Sequence, residues 1–344
     1  MRTEQDRRRF LTTAAATFAG LEVGMLGAAK SLLRGIGSGS DRELAALRGA
    51  TAWLNSPPLS ASELQGKLVL VDFCTYTCVN WLRTLPYVRA WARKNGKHGL
   101  VVIGAHTPEF GFEHDLGNVR RAIAAMDVTY PIAIDNDYAI WRGFSNQYWP
   151  ALYLIDGKGA VRFTHFGEGA YDQSERMIQK VLGEASASGF SRELVTVDAR
   201  GLEVPADWSS VESVETYLGT EQAEHFGRNA GRLRLNEWTL AGDWSQGTKA
   251  VALKQPNGKI LYRFHARDVN LVMGPLKPGT AARFQVRIDG QPVGGGTDVD
   301  AAGRGTVAEQ RTYQLVRQPR PIVERQFEIE FLEAGVEAYC FTFG

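Results

Sequence analysis

The chain has 344 residues, a formal net charge of +1 and 44% hydrophobic residues. This length suits two domains of ordinary size, each able to bury its own core. The 39 basic and 38 acidic residues are balanced and no segment concentrates the basic ones, so we predict no nucleic-acid partner. Three cysteines are too few for a disulfide scaffold, which directs attention to their reactivity.

The N-terminal segment has the pattern of an export signal. In "DRRRFLTTAAATFAG", Arg7 and Arg8 precede Phe10 and a run of alanine and threonine, which resembles a twin-arginine signal. We predict a signal over 1–29, a Gly/Ser-rich linker over 30–49, and a periplasmic product that stays anchored if the signal is uncut. An amphipathic N-terminal helix without a targeting role is the alternative.

Residues 50–188 alternate between strand and helix patterns, which predicts an α/β domain. Predicted strands are Leu68–Phe73, Leu100–Ala105, Tyr130–Ile134, Ala151–Ile155 and Ala160–Phe166. Predicted helices follow Cys78 and lie near Asn118–Met126 and Ser174–Leu182, the last one capped by Asp172. Asp156-Gly157 predicts a hairpin turn between the last two strands.

Residues 189–344 have a different character. Segments such as "RFQVRID" and "RQFEIEF" alternate polar and apolar residues, and Gly, Pro and Asn separate them. This pattern predicts an antiparallel β-sandwich of jelly-roll type. Trp238, Trp244 and Tyr262 would form either a platform for a glycan or part of the sandwich core, and strand alternation does not separate these two interpretations.

Several segments resemble a known family. "VDFCTYTCVNWLRTLPYVRAW", "HTPEFGFEHDLGNVRRA" and "DNDYAIWRGFSNQYWPALYLIDGKG" resemble the thioredoxin-like domain of DipZ-type proteins and, more loosely, the TlpA/ResA thiol–disulfide oxidoreductases. "YRFHARDVNLVMGP" and "GVEAYCFTFG" resemble the carbohydrate-binding-module-like domain that follows in DipZ. The resemblance implies a thioredoxin-like domain followed by a β-sandwich, with thiol–disulfide exchange as the activity. We expect no counterpart of the DipZ membrane domain.

The family's common site pattern, Trp-Thr-Tyr-Thr-Cys-x-Asn-Cys, is altered here. Cys74 stands where the tryptophan is expected, and Trp81 stands where the resolving cysteine is expected. Cys78 alone occupies the nucleophile position, at a predicted helix start where backbone N–H groups and the macrodipole would lower the pKa of its thiol. We predict that Cys78 acts as a monothiol and that Cys74 is buried. The alternative is a Cys74–Cys78 dithiol.

Further candidates follow from the resemblance. Trp149 and Pro150 fall where thioredoxin-like folds place a cis-proline beside the nucleophile, and with Thr75 and Trp81 they form the predicted substrate-binding set. Glu109 falls where TlpA/ResA-type proteins place an acidic residue, and burial would raise its pKa so that it exchanges protons with the thiol. A solvated loop glutamate is the alternative for Glu109.

Two rival functions stay open at this stage. Thr75 lies three residues before Cys78, as in peroxiredoxins, which indicates a one-Cys peroxidase as the alternative enzyme. The other rival is a redox-degenerate binding protein that uses the sandwich. Expected partners are protein disulfides or small oxidants and an external thiol reductant, with a glycan at the second domain left open. No metal or cofactor is predicted. Cys340 is interpreted as a packed core residue, and not as a partner for the other thiols.

Overall fold

The computed structural model describes residues 42–185, 189–227 and 233–344. The predicted signal and most of the predicted linker therefore lie outside the described residues. Within the described ranges, none of the helices combines the length and the apolar character that crossing a membrane requires.

Residues 42–185 form a sheet with helices on both faces. The strands are β1 (Ala52–Leu54), β2 (Leu68–Cys74), β3 (Leu100–His106), β4 (Ile132–Ile134), β5 (Ala151–Ile155) and β6 (Val161–Phe166). The helices are α1 (Arg42–Ala45), α2 (Ala61–Leu64), α3 (Val79–Asn95), α4 (Leu116–Ala125), α5 (Ala139–Gly143) and α6 (Tyr171–Glu184). The strand order is β1-β4-β3-β2-β5-β6, with β2, β3 and β4 parallel and the other pairs antiparallel.

Side-chain alternation along β2 builds the two faces of this sheet. Leu70 and Cys74 lie on the face covered by α3, α4 and α6, whereas Val71 and Phe73 lie on the face covered by α1 and α5. Apolar residues on both faces fit a central strand that is buried throughout. β2 and α3 together present the segment between them, residues 75–78, at the carboxyl edge of the parallel strands.

Among the departures from the predicted boundaries, two have a clear physical cause. Residues 42–49, assigned to the linker, form α1 and a 3-10 turn, because Leu44 and Leu47 are buried against the sheet. Helix α6 begins at Tyr171 after Ala170, which has a positive φ and makes no side-chain cap, so Asp172 lies inside the first turn and is not the cap. The predicted Asp156-Gly157 hairpin turn does connect β5 and β6.

The described residues 189–227 and 233–344 contain two antiparallel sheets. The strands are β7 (Thr216–Tyr217), β8 (Trp238–Ala241), β9 (Trp244–Gln246), β10 (Val251–Leu253), β11 (Gly258–Phe264), β12 (Asp268–Pro275), β13 (Ala282–Ile288), β14 (Gln291–Pro292), β15 (Arg304–Val307), β16 (Arg311–Arg317), β17 (Arg325–Phe331) and β18 (Val336–Phe343). One sheet has the order β16-β12-β18-β10-β9 with β7 on β18, and the other has β14-β13-β17-β11-β8 with β15 on β13. The predicted fold class, a thioredoxin-like domain followed by a β-sandwich, is confirmed.

The space between these two sheets holds a separate apolar core. Trp238 and Tyr262 are fully buried in it, and Trp244 packs against it half-buried. These rings therefore fill the sandwich, and the glycan platform that they offered in the sequence is not present. The predicted division of the chain at 188/189 coincides with the undescribed residues 186–188, and it stays a prediction.

The outer face of the β7-containing sheet packs on the first half. Val272, Tyr339 and Cys340 belong to the same buried cluster as Trp81 and other residues of the first core. The Tyr339 ring meets Phe112 edge-on, with ring centroids 4.9 Å apart. This contact brings strands from the second half onto the carboxyl edge of the first sheet, where the candidate cysteine lies.

Candidate functional site

Cys78 lies at the turn between β2 and α3. Its N–H donates to the Thr75 carbonyl over 3.2 Å, and its own carbonyl accepts from the Leu82 N–H over 3.0 Å, so Cys78 is the N-cap residue of α3. All three cysteines are free, and Cys78 is the one that is not fully buried. Its Sγ lies 4.0 Å from the Trp149 carbonyl oxygen. This places the thiol at the carboxyl edge of the sheet, beside the segment that precedes β5.

Trp149 and Pro150 have the arrangement that the resemblance implied. The Trp149–Pro150 peptide bond is cis. The Trp149 ring is half-buried and packs on Trp141 with centroids 4.3 Å apart, and the Pro150 carbonyl accepts from Gly167 over 2.8 Å. These contacts fix the Trp149 carbonyl near Cys78. The role of both residues in binding stays a prediction.

A buried glutamate, Glu113, links the residue before Cys78 to the loop after β3 through hydrogen bonds. Its carboxylate accepts from Thr77 Oγ1 over 2.6 Å, and from the backbone N–H groups of Glu109 and Phe110 over 2.7 and 2.9 Å. Burial raises the pKa of Glu113, and these hydrogen bonds oppose that rise. Glu113 was not among the site residues predicted from the sequence. The sequence feature that could have identified Glu113 is its position three residues after Phe110, where a glutamate often caps the start of a helix.

Residues from the second half complete the surroundings of the thiol. Thr312 Oγ1 donates to the Thr77 carbonyl over 2.6 Å, and Tyr76 donates to the Gln310 carbonyl over 3.2 Å. The Tyr217 hydroxyl donates to the Glu109 carboxylate. These contacts join residues far apart in the sequence, so local patterns gave no indication of them.

Glu109 and Glu215 form a pair of carboxyl groups near Cys78. Burial, and then the charges of Glu215 and Glu113, raise the pKa of Glu109 to about 8, although the Tyr217 hydrogen bond opposes this. Desolvation by the surrounding protein raises the pKa of Glu215 to about 7, even though part of its side chain is exposed. The raised pKa of Glu109 agrees with the prediction from the sequence. Glu215 was missed.

The expected low pKa of Cys78 is wrong. Burial raises the pKa of the Cys78 thiol well above its usual value, and the charges of Glu109 and Glu215 raise it further. The backbone N–H groups of Trp81 and Asn80, at the helix N-terminus, act in the opposite direction but do not outweigh these causes. The environment therefore favours the protonated form of the Cys78 thiol. The thiolate forms when a neighbouring carboxylate accepts the thiol proton, because that carboxylate then no longer repels the negative charge on the sulfur.

Trp81 does not contribute to a substrate surface, contrary to the prediction. It is fully buried, and its Nε1–H donates to Asp72 Oδ2 over 2.9 Å. Burial raises the pKa of Asp72 to about 7, and the Trp81 hydrogen bond lowers it only in part. Asp72 was not among the residues predicted from the sequence, although an aspartate inside the apolar strand "LVLVDFC" is itself a signal of a special environment.

Cys74 and Thr75 are both fully buried. For Cys74 this confirms the predicted burial: a Cβ atom built on Gly104 would lie 3.6 Å from Cys74 Sγ, so this sulfur lies over the neighbouring strand β3. For Thr75 burial contradicts the predicted contact with substrate, and it removes the support for a hydroxyl that would orient a peroxide. No Cys74–Cys78 disulfide is present.

Comparisons with known proteins agree with this architecture. Residues 213–344 match the family described as the thioredoxin-like C-terminal domain. The protein DipZ of Mycobacterium tuberculosis is 32% identical over 322 residues, which cover 87% of this chain and 42% of DipZ. The chain thus spans less than half the length of that relative.

Shorter relatives match the first half. The thiol–disulfide oxidoreductase YkuV of Bacillus subtilis is 30% identical over 138 residues, which cover 40% of this chain and 93% of YkuV. A solution structure of a thioredoxin-like protein in the oxidised form is 29% identical and covers 42% of this chain and 98% of its own, with a TM-score of 0.39. The chain belongs to the thioredoxin-like family of thiol–disulfide oxidoreductases.

Proposed function

We propose that this protein catalyses thiol–disulfide exchange with Cys78 as its nucleophile. The observation that carries the proposal is the position of Cys78 at the start of α3, half-buried and facing the Trp149 carbonyl. Cys74 and Cys340 are enclosed in apolar packing, so an external substrate reaches Cys78 before either of them. Family membership agrees with this assignment.

The first step is attack of the Cys78 thiolate on one sulfur of a substrate disulfide. The substrate S–S bond breaks, a bond forms between Cys78 and one substrate sulfur, and the other substrate sulfur leaves as a thiolate. The thiol proton passes to the Glu109–Glu215 pair, whose pKa values near neutrality allow it to accept a proton and later return it to the leaving thiolate. The substrate class is a protein disulfide in an extended segment, because the Trp149 carbonyl beside Cys78 is a backbone group to which such a segment can hydrogen-bond.

Resolution of the mixed disulfide requires a thiol from outside α3. Trp81 occupies the second cysteine's usual position, is fully buried and is held by Asp72, so it supplies packing and no sulfur. Within the thioredoxin-like half Cys78 therefore works as a monothiol. An external thiol reductant returns the enzyme to its reduced state.

The test is reduction of a protein disulfide by the full chain with a thiol reductant present. Cys78→Ser abolishes turnover, whereas Cys74→Ser keeps most of it, because Cys74 is a buried core residue. Peroxide consumption is measured in parallel, since efficient peroxide turnover without disulfide reduction would replace this proposal with a peroxidase. Turnover that survives in Cys78→Ser would refute the assignment of the nucleophile.

We also infer that the protein is exported through the twin-arginine route to the periplasm. The support is the sequence "RRRFL" and the alanine-rich run after it, which lie outside the described residues. Replacing Arg7 and Arg8 together with lysine holds the protein in the cytoplasm in a fractionation experiment. Export of that double variant, or cytoplasmic wild-type protein, would contradict this inference.

A further inference from the structure

One row of side chains crosses the outer face of the sheet that packs on the first half. In adjacent strands, Thr312 is paired with Val272, Val272 with Cys340, and Cys340 with Tyr217. Residues directly opposite each other in antiparallel strands point to the same face of the sheet. The four side chains therefore form a continuous row, which we call the facing row.

The two ends of the facing row contact residues that flank Cys78. At one end Thr312 Oγ1 donates to the carbonyl of Thr77, the residue before Cys78, over 2.6 Å. At the other end the Tyr217 hydroxyl donates to Glu109. Strands lie about 4.8 Å apart, so Cys340 is two strands from the first contact and one strand from the second. The register thus places Cys340 between these two contacts, on the face of the sheet that packs against the first half.

Packing and electrostatics agree with this placement. Cys340 is buried in the cluster against which Cys78 packs. Burial is the main cause of the raised pKa of the Cys340 thiol, and negative charge at Glu215, Glu109 and Cys78 adds to it. The same carboxyl pair thus acts on both Cys78 and Cys340. Cys340 is almost completely buried, so an external disulfide does not reach it and its reaction partner has to be a sulfur within the protein.

Cys340 is packed in the core, as the sequence indicated. Contrary to the sequence interpretation that it has no thiol partner, we propose that Cys340 is the resolving cysteine of this enzyme and forms a disulfide with Cys78 during turnover. The proposal rests on the proposed function, since Cys78 must first form a mixed disulfide. The Cys340 thiolate attacks Cys78 Sγ, the bond between Cys78 and the substrate sulfur breaks, and the bond between Cys78 and Cys340 forms. The electron pair leaves on the substrate sulfur, which takes up the proton that Cys340 lost to the carboxyl pair. The substrate disulfide is thereby reduced by two electrons and the two cysteines are oxidised, until an external thiol reductant restores them.

Cys74 is less suited to this role. Its sulfur lies over Gly104, which is paired with Asp72, two residues back from the end of β2. Cys340 instead lies between two side chains that already contact the flanks of Cys78. A disulfide requires Cα atoms within about 7 Å. The Cα atoms of Cys78 and Cys340 therefore have to come within that distance during turnover, and peptide mapping of the oxidised protein tests whether they do.

The experiment treats the reduced full chain with a small chromogenic aromatic disulfide and counts the aromatic thiolates released per chain. In the wild type, attack by Cys78 releases one equivalent and resolution by Cys340 releases a second. Cys340→Ser releases one equivalent and retains the aromatic group on Cys78. Cys74→Ser, the matched control, releases two. Peptide mapping of the oxidised wild type identifies a Cys78–Cys340 bridge.

The kinetics provide a second readout. Resolution within one chain is independent of the concentration of added thiol, whereas resolution in Cys340→Ser is proportional to it. Cys340→Ala, which buries no hydroxyl, replaces the serine variant if the latter does not fold. Release of one equivalent by the wild type, or a Cys74–Cys78 bridge, would overturn the role of Cys340 and leave Cys78 as the nucleophile. Release of none would overturn the proposed function and this inference together.

Discussion

Asp72→Asn is expected to stabilise the folded protein at alkaline pH. Asp72 is fully buried, its Oδ2 accepts from Trp81, and its Oδ1 has no hydrogen-bond partner among the described residues. A buried carboxylate with one hydrogen bond is costly, which is why the carboxyl stays protonated up to neutral pH. Asparagine is isosteric with the protonated acid, accepts the same hydrogen bond from Trp81 and cannot ionise.

The magnitude follows from the pKa of Asp72, which folding raises from 3.8 to about 7. Between these values the folded chain retains a proton that the unfolded chain has lost, so stability falls as the pH rises through this window. Each unit corresponds to about 1.4 kcal/mol, so the loss above pH 7 is on the order of 4 kcal/mol. Asp72→Asn removes it. The gain relative to wild type is therefore near zero at pH 4 and about 4 kcal/mol at pH 8.5.

Denaturant unfolding followed by circular dichroism, at several pH values, measures this difference in the free energy of unfolding. Asp137→Asn, which removes an exposed aspartate, is the control for losing one carboxylate. A gain for Asp72→Asn that does not change between pH 4 and pH 8.5 would show that Asp72 titrates equally in the folded and unfolded states. The reasoning about this buried carboxyl would then be refuted.

Three further predictions concern the site and its support. Glu109→Gln removes a negative charge that raises the pKa of Cys78, so we expect Cys78 to be alkylated faster than in wild type at pH 8. An unchanged alkylation rate would show that the Glu109 charge does not act on the thiol. Gly104→Ala destabilises the fold by about 1–3 kcal/mol, because the added Cβ would lie 2.5 Å from Ile132 Cδ1 in a packed core. Thermal unfolding measures the loss of stability, and an unchanged melting temperature would contradict the prediction. The fragment 192–344, expressed alone, gives a β-rich circular dichroism spectrum and a cooperative melt, since the sandwich has its own core, and a disordered fragment would contradict an independent second domain.

Local patterns in the sequence determined the elements that carry the thiol. The apolar run before Cys74 and the helical spacing after Cys78 predict β2 and α3, because alternation and helical periodicity are properties of neighbouring residues. The same holds for the sandwich strands. Family resemblance added the cis bond at Pro150 and a raised pKa for Glu109.

Only the tertiary structure decided the chemistry around the thiol. The sequence indicated that Cys78 lies at a helix N-terminus, which by itself lowers the pKa of a thiol. Burial and the carboxylates of Glu109 and Glu215 outweigh that effect and raise the pKa of Cys78. Glu215 and Cys340 reach the site through the β7–β18 pairing and the packing of one sheet on the first half, which depend on contacts between residues far apart in the chain. Burial of Trp81 on Asp72 has the same origin, since the depth of a side chain is set by the layers around it and not by its neighbours in sequence.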